Sequence, residues 1–301
     1  MLENTWQTDA DDDVARGDST RMLGAAPCHR LLLPHGALWI EIPDQPARLA
    51  SACTAQVLPP DVPVRTELID PSCEGIDLIA LPDELWACVR QALHSALPAH
   101  AAEPWRWSGL RVDAADYLTL RLLRRAQPAD AAPTATWTCA QLRRALGDWR
   151  RAASRTLRSA RAQPSVQQHA MQQVARRMAS RWREGTSLQR LAEQAGLSVF
   201  HLLRSFRSVH GVTPHQFLLQ LRLRRALHLL GDGRQSGAAL AERLGFCSHG
   251  HFCTAFRSAF GMTPSDYTAH RRGATALFPS RAPLSLTHAP RSPSRVHRPA
   301  R

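Results

Sequence analysis

Apolar positions change period along the chain, and the changes mark its elements. Residues 1–25 are polar with few apolar anchors and read as a mobile tail. Over residues 28–81 the apolar residues come in short or alternating runs, at 30–33, 37–42, 47–58, 64–69 and 76–81. Turn formers bound each run: Pro34-His35-Gly36, Pro43-Asp44, Pro59-Pro60-Asp61 and Asp70-Pro71-Ser72. That pattern predicts a small antiparallel sheet or part-barrel. Helical spacing then takes over. Pro82-Asp83-Glu84 opens a helix with Leu85, Val89 and Leu93 on one face. Tyr117, Leu118, Leu120, Leu122 and Leu123 mark a second helix. Residues 138–162 form a third, with Leu142, Leu146 and Trp149 inward and arginines outward. Pro164 ends it and places a boundary between a domain at 26–163 and one at 164–273, followed by an Arg- and Pro-rich disordered tail at 274–301.

The second domain contains a duplicated unit. Leu191-Ala192-Glu193 recurs as Leu240-Ala241-Glu242, and Gly196 as Gly245, each 49 residues on. Beyond that point the offset is 50, in Phe206/Phe256, Arg207/Arg257, Gly211/Gly261, Thr213-Pro214/Thr263-Pro264 and Phe217/Tyr267. Each copy reads as helix–turn–helix. In the first, Thr186 or Ser187 caps a short helix that turns Leu188, Leu191 and Ala192 inward. Gly196 supplies the left-handed residue that ends it. Ser198 caps the next helix, which buries Leu202 and Phe206 and turns Phe200, Leu203, Arg204 and Arg207 outward. In the second, residues 238–244 are the supporting helix, Gly245 the turn and Ser248 the cap. Phe252 and Phe256 face inward there, leaving His249, Gly250, Cys253, Thr254 and Arg257 outside. A long helix over 214–230, with Leu218, Leu221, Ala226 and Leu229 on its buried side, joins the copies until Asp232-Gly233 breaks it. The fold class is therefore α+β: a small β-rich domain with helices, then an all-α domain of two helix-turn-helix units.

Charge sharpens this division. The 301 residues carry a net +13, and all 38 basic side chains are arginine. The absence of lysine has an ordinary origin in GC-rich codon usage, yet it excludes a phosphate-loop lysine and Schiff-base chemistry. Residues 1–163 hold 18 Arg against 20 acids, whereas residues 164–273 hold 15 Arg against 5. A near-neutral half joined to a strongly basic one fits a sensor tethered to a nucleic-acid binder. The seven cysteines are odd in number and lack zinc-ribbon spacing, so reduced, packed thiols are expected. No apolar stretch is long enough to span a membrane, and the acidic N-terminus is unlike a secretory signal, which predicts a cytoplasmic protein.

The two-copy arrangement resembles the DNA-binding domain of AraC/XylS-family transcription regulators over residues 167–272. The first signature is Leu191-Ala192-x-x-Ala195-Gly196-Leu197-Ser198-x-x-His201-Leu202-x-Arg204-x-Phe206-Arg207, then Gly211-x-Thr213-Pro214. Leu221-Arg222-Leu223-x-Arg225-Ala226-x-x-Leu229-Leu230 follows. The second is Gly245-Phe246-x-Ser248-x-x-His251-Phe252-x-x-x-Phe256-Arg257-x-x-Phe260-Gly261-x-Thr263-Pro264-x-x-Tyr267. The resemblance implies a bipartite double-stranded DNA site, one recognition helix entering each of two successive major grooves, ~34 Å apart. It also implies RNA polymerase as a partner, transcriptional activation, a small effector held by a cupin-like N-terminal domain, and a homodimer.

For base reading the expectation is Phe200, Leu203 and Arg204 in copy one, and His249, Gly250, Cys253 and Thr254 in copy two. Arg204 suits a guanine, whose O6 and N7 match a two-donor fork. Thr186, Ser187, Ser198, Arg207, Ser248 and Arg257 are placed for phosphate, where they position without specifying. Copy two departs from the family pattern: Ser-His-Phe-x-Arg becomes Gly250-His251-Phe252-Cys253-Thr254, so the reading arginine is replaced by Thr254. Copy one is then expected to dominate specificity. His249 and His251, two apart on a helix, diverge and do not form a metal pair; His251 is expected against the turn. Arg222, Arg224 and Arg225 read as a solvated, salt-bridging helix face.

No catalytic residue, metal or cofactor is expected. His29, His35, His94 and His100 lack the spacing of a metal cupin, which leaves an organic effector or a protein partner for the N-terminal half. The helix around 140–161 is a candidate dimer interface, and an ordinary amphipathic domain helix fits it equally. One enzyme alternative stands on Pro27-Cys28-His29-Arg30, which matches the nucleophile motif of alkyl-DNA methyltransferases. The preceding helical unit and following glycine-rich run of that family are missing, which makes Cys28 a weak alkyl acceptor candidate.

Overall fold

The computed structural model describes residues 20–43, 45, 47–51, 53–70, 75–81, 83, 86–87, 110–126, 166–185, 187–230 and 237–271. Eight strands come first: β1 (Thr20–Leu23), β2 (His29–Pro34), β3 (Leu38–Glu41), β4 (Arg48–Ala50), β5 (Thr54–Leu58), β6 (Val64–Leu68), β7 (Ile76–Leu81) and β8 (Leu110–Arg111). They form two four-stranded antiparallel sheets, ordered β1-β6-β3-β4 and β7-β2-β5-β8. Strand alternation explains how the sheets stack. In β2, Leu32 joins Leu23, Leu38, Ile40, Leu58 and Val64 in the core between the sheets, while Leu31 and Leu33 face the helices. Both faces of β2 are buried, so its apolar residues run without a break.

Two features depart from the sequence expectation. Residues 20–23, assigned there to the polar tail, pair with β6, with Leu23 opposite Val64. The partner strand, not a local pattern, orders them. The single run at 47–58 is two strands in different sheets. A turn at Ser51 separates them, with Thr54 N–H donating to Ser51 O at 2.9 Å and Cys53 N–H to Ser51 Oγ at 3.3 Å. Serine and threonine build this turn without glycine or proline.

Eight helices follow among the described residues: α1 (Ala114–Ala126), α2 (Val166–Ser180), α3 (Leu188–Gln194), α4 (Val199–His210), α5 (Pro214–Leu229), α6 (Gly237–Arg243), α7 (His249–Phe260) and α8 (Pro264–Arg271). Asp83, Trp86 and Ala87 are helical, as the pattern after Pro82 predicts. Leu85, Val89, Leu93 and the helix expected over 138–162, with its dimer surface at 140–161, lie outside the described residues. One apolar core runs from β2, β5 and β7 through Tyr117, Leu118 and Leu120 of α1 into all the helices that follow.

Polar contacts cross the same junction. Arg176 of α2 donates to Glu67 of β6 at 2.9 Å and lies 5.5 Å from the Trp39 ring centroid. Trp182 Nε1–H donates to Asp70. Arg222, Arg224 and Arg225 correct the expectation of a solvated face. Arg224 is fully buried, Arg225 is buried, and Arg222 donates Nε–H to Trp182 O at 3.0 Å and Nη1–H to Gly245 O at 2.7 Å. Half of the residues of α5 are buried, and its Arg222 and Arg224 donate to packed backbone carbonyls.

Candidate nucleic-acid interface

Each copy is built from the same local devices. In copy one, Ser187 precedes α3 without a side-chain capping bond, and Leu191 and Ala192 are buried. Gly196 takes φ 66°, a left-handed value that favours glycine. Leu197 N–H then reaches back to Ala192 O at 2.9 Å. Ser198 Oγ accepts from His201 N–H and opens α4. Leu202 and Phe206, four apart, sink into the core, and Phe206 meets Phe217 edge-on at 5.6 Å. In copy two, Gly245 has φ 74°, Phe246 N–H returns to Ala241 O at 3.0 Å, and Ser248 Oγ accepts from His251 N–H at 3.1 Å. Phe252, Phe256 and Phe260 form a buried ladder along α7.

The connector fixes the two copies relative to each other. Thr213 and Gln216 form a reciprocal capping box ahead of Pro214 at the start of α5. Thr263 and Asp266 repeat the exchange at α8, and those hydrogen bonds hold the Asp266 carboxyl below its ordinary range. The 16 residues of α5 give it a length of about 24 Å. His210 ties α4 to α2 by a bond to Met171 O at 3.0 Å, and burial pushes its pKa down to about 4. Gln167 adds a bond to Ser205 Oγ at 2.7 Å.

What remains outside is the surface the sequence singled out. Phe200 is 75% exposed, an uncommon position for a large apolar ring. Arg204 and Arg207 are exposed, and Leu203 is half-buried. On α7, His249, Gly250, Thr254 and Arg257 are exposed and Cys253 is half-buried. Neither α4 nor α7 contains an acidic residue, so each outer face offers only cationic, polar or apolar groups. Ser198 and Ser248 spend an oxygen lone pair on capping, which leaves the hydroxyl hydrogen to donate outward. Thr186 lies outside the described residues.

Sequence reasoning missed two pairs on copy two. Cys247 Sγ lies 3.2 Å from His251 Nδ1, and Cys253 Sγ lies 3.4 Å from His249 Nε2. Both pairs are four residues apart, which is the signal that could have found them. His251 does meet the turn, edge-on to Phe246 at 5.5 Å, but stays exposed. Among the described residues no three metal-ligating side chains cluster. No helix among them is long and apolar enough to cross a membrane.

In the first half, burial pushes the Cys28 thiol up, away from the thiolate an alkyl acceptor needs. Its neighbour His29 stacks on Trp86 at 3.9 Å, and burial lowers its pKa. His35 hydrogen-bonds Asp77 at 2.7 Å. His94 and His100 lie outside the described residues.

Two capped helix–turn–helix units on one stiff connector define a helix-turn-helix DNA-binding domain. A family profile described as a helix-turn-helix domain matches residues 191–270. The HTH-type transcriptional activator RhaS of Escherichia coli is 41% identical over 83 residues, covering 28% of this chain and 30% of that protein. An HTH-type transcriptional regulator of Haemophilus influenzae is 36% identical over 80 residues, covering 27% of each. A solved transcriptional regulator from Chromobacterium violaceum, described as containing an AraC-type DNA-binding domain, is 31% identical. It covers 35% of this chain and 93% of its own, with a TM-score of 0.33. The C-terminal unit is an AraC/XylS-family domain. The matched segment spans less than a third of the length of either curated relative.

Proposed function

We propose that the chain is a sequence-specific transcriptional regulator of the AraC/XylS type, acting on double-stranded DNA. The observation that carries this is the pair of acid-free outer faces on α4 and α7, held at fixed separation by α5. Each helix enters a major groove, and the two read successive grooves of one bipartite site. Arg204 reads a guanine, with Phe200 and Leu203 against neighbouring base edges. His249, Gly250, Cys253 and Thr254 face the second groove and discriminate less. Arg207 and Arg257, with Thr186, Ser187, Ser198 and Ser248, hold phosphates. Activation through RNA polymerase is the mode that the RhaS similarity favours.

The N-terminal half acts as a cupin-like effector domain, in a protein that works in the cytoplasm as a homodimer. Support for its control over DNA binding comes from the shared core and from Arg224. That residue sits on the connector of both recognition helices, yet donates to Val112 O beside α1 at 3.2 Å. A ligand that moves α1 therefore moves the connector. Mapping bound DNA across the source genome with the full chain tests the reading. Sharp peaks sharing one two-part motif are expected, and occupancy without sequence preference contradicts it.

A further inference from the structure

Two arginines from opposite sides of the domain junction are buried together without enough anions. Arg121 of α1 is 1% exposed and Arg224 of α5 is 0% exposed. They converge on Tyr117, one turn before Arg121 on the same helix and fully buried. The Arg224 Cζ stands 3.8 Å from the Tyr117 ring centroid. Its one hydrogen bond is Nη2–H to Val112 O, which leaves Nε and Nη1 without an acceptor. Arg121 likewise has Nε and Nη1 without an acceptor at full hydrogen-bond geometry, although the Tyr117 hydroxyl lies close enough to interact with it. Asp77 is the one carboxylate within ion-pair reach of either guanidinium among the described residues. It lies 3.9 Å from Arg121 Nε and is already bonded by His35 at 2.7 Å.

A buried charge lacking a partner costs several kcal/mol, and each unsatisfied donor adds to that cost. Apolar residues of similar volume would be cheaper at both positions, so stability alone does not account for two arginines here. Planar forks suit carboxylate and phosphate-type oxygens in particular.

We propose that Arg121, Arg224 and Tyr117 form a binding site for a small oxyanion, a carboxylate or a phosphate-type group, at the junction of the two domains. This deepens the effector reading and rests on it for its regulatory meaning: the anion supplies the missing acceptors and ties α1 to the connector of both recognition helices. Occupancy then stiffens the contact between sensor and DNA reader. Asp77, 3.9 Å from Arg121 Nε, pairs with that guanidinium and, as a carboxylate, repels an anion from its own side.

The test uses the full chain, titrated with inorganic phosphate, sulfate and benzoate at ionic strength held constant with sodium chloride, with melting temperature as readout. A saturable rise with at least one probe is expected. Arg121→Lys and Arg224→Lys, which keep the charge and lose the fork, should each weaken apparent affinity about tenfold. No saturable rise with any of the three in the wild-type chain overturns the site, whether or not the variants fold. An equal rise in wild type and both variants overturns it too. DNA affinity measured with and without the saturating probe separates the two ideas. A change of about fivefold supports both, while saturable binding with unchanged DNA affinity upholds the anion site and overturns its role as the effector site.

Discussion

Arg222 Nη1–H donates to the carbonyl of Gly245 at 2.7 Å, joining the middle of the connector helix to the turn of the second unit. Its Nε–H meanwhile holds Trp182 O, so one side chain binds α5, the segment after α2 and the second turn. Burial lowers the Arg222 pKa, but a guanidinium stays charged through the physiological range, and both bonds are charge-assisted. Arg222→Met should lower stability by about 1.5–3 kcal/mol. It should also weaken binding to a two-part DNA site more than to a single half-site, which fluorescence anisotropy on matched duplexes would resolve. Equal losses on both duplexes would show that the bond does not set the spacing.

The two turn glycines predict an ordered pair of effects. At Gly196 a Cβ meets nothing within 4 Å, so Gly196→Ala costs only the left-handed backbone, about 1–2 kcal/mol. At Gly245 the same atom would stand 2.9 Å from Arg222 Nη2 and 3.0 Å from Arg183 O. Gly245→Ala should therefore be the more damaging in denaturant unfolding. The reverse order would contradict the geometry of the second turn.

His210 gives a pH dependence with a definite sign. Its folded pKa of about 4 lies below the ordinary 6.5, because burial against Phe206 and Phe217 opposes charging. The unfolded chain takes the proton first, so this residue's contribution falls as pH drops below 6.5 and levels off below about 4. By pH 5 the loss is about 2 kcal/mol. His210→Leu does not titrate, so the stability difference between variant and wild type should shift by that amount between pH 7 and pH 5. A constant difference would contradict a neutral buried ring.

Much of the architecture was legible because its signals are local. Turn formers bracket β2, β3, β6 and β7, and the 49- and 50-residue offsets by themselves expose two helix–turn–helix units. The outer faces of α4 and α7 follow once Leu202, Phe206, Phe252 and Phe256 are assigned to the core. The illegible parts depend on distant partners. β1 exists because β6 offers it an edge, and Arg224 is buried because Val112, 112 residues earlier, supplies a carbonyl. The contacts of Cys247 with His251 and of Cys253 with His249 depend on side-chain rotamers, which spacing alone leaves open.

Arg204 should carry the strongest base preference. Arg204→Ala is expected to cost about 1–3 kcal/mol of specific affinity and to relax one position of the site. Arg207→Ala should instead weaken binding to all sequences alike and flatten its salt dependence. Competition between specific and scrambled duplexes distinguishes the two, and a uniform loss for Arg204→Ala would move that residue to the phosphate class.

Whether α4 and α7 read one DNA site together is tested most directly by selection from a random duplex pool with the full chain at about 150 mM salt. The predicted result is an enriched motif of two patches whose centres lie about 10 base pairs apart, with the stronger information content in the patch that Arg204→Ala alters. Enrichment of no motif, or of a single patch unaffected by any change in α7, would contradict it.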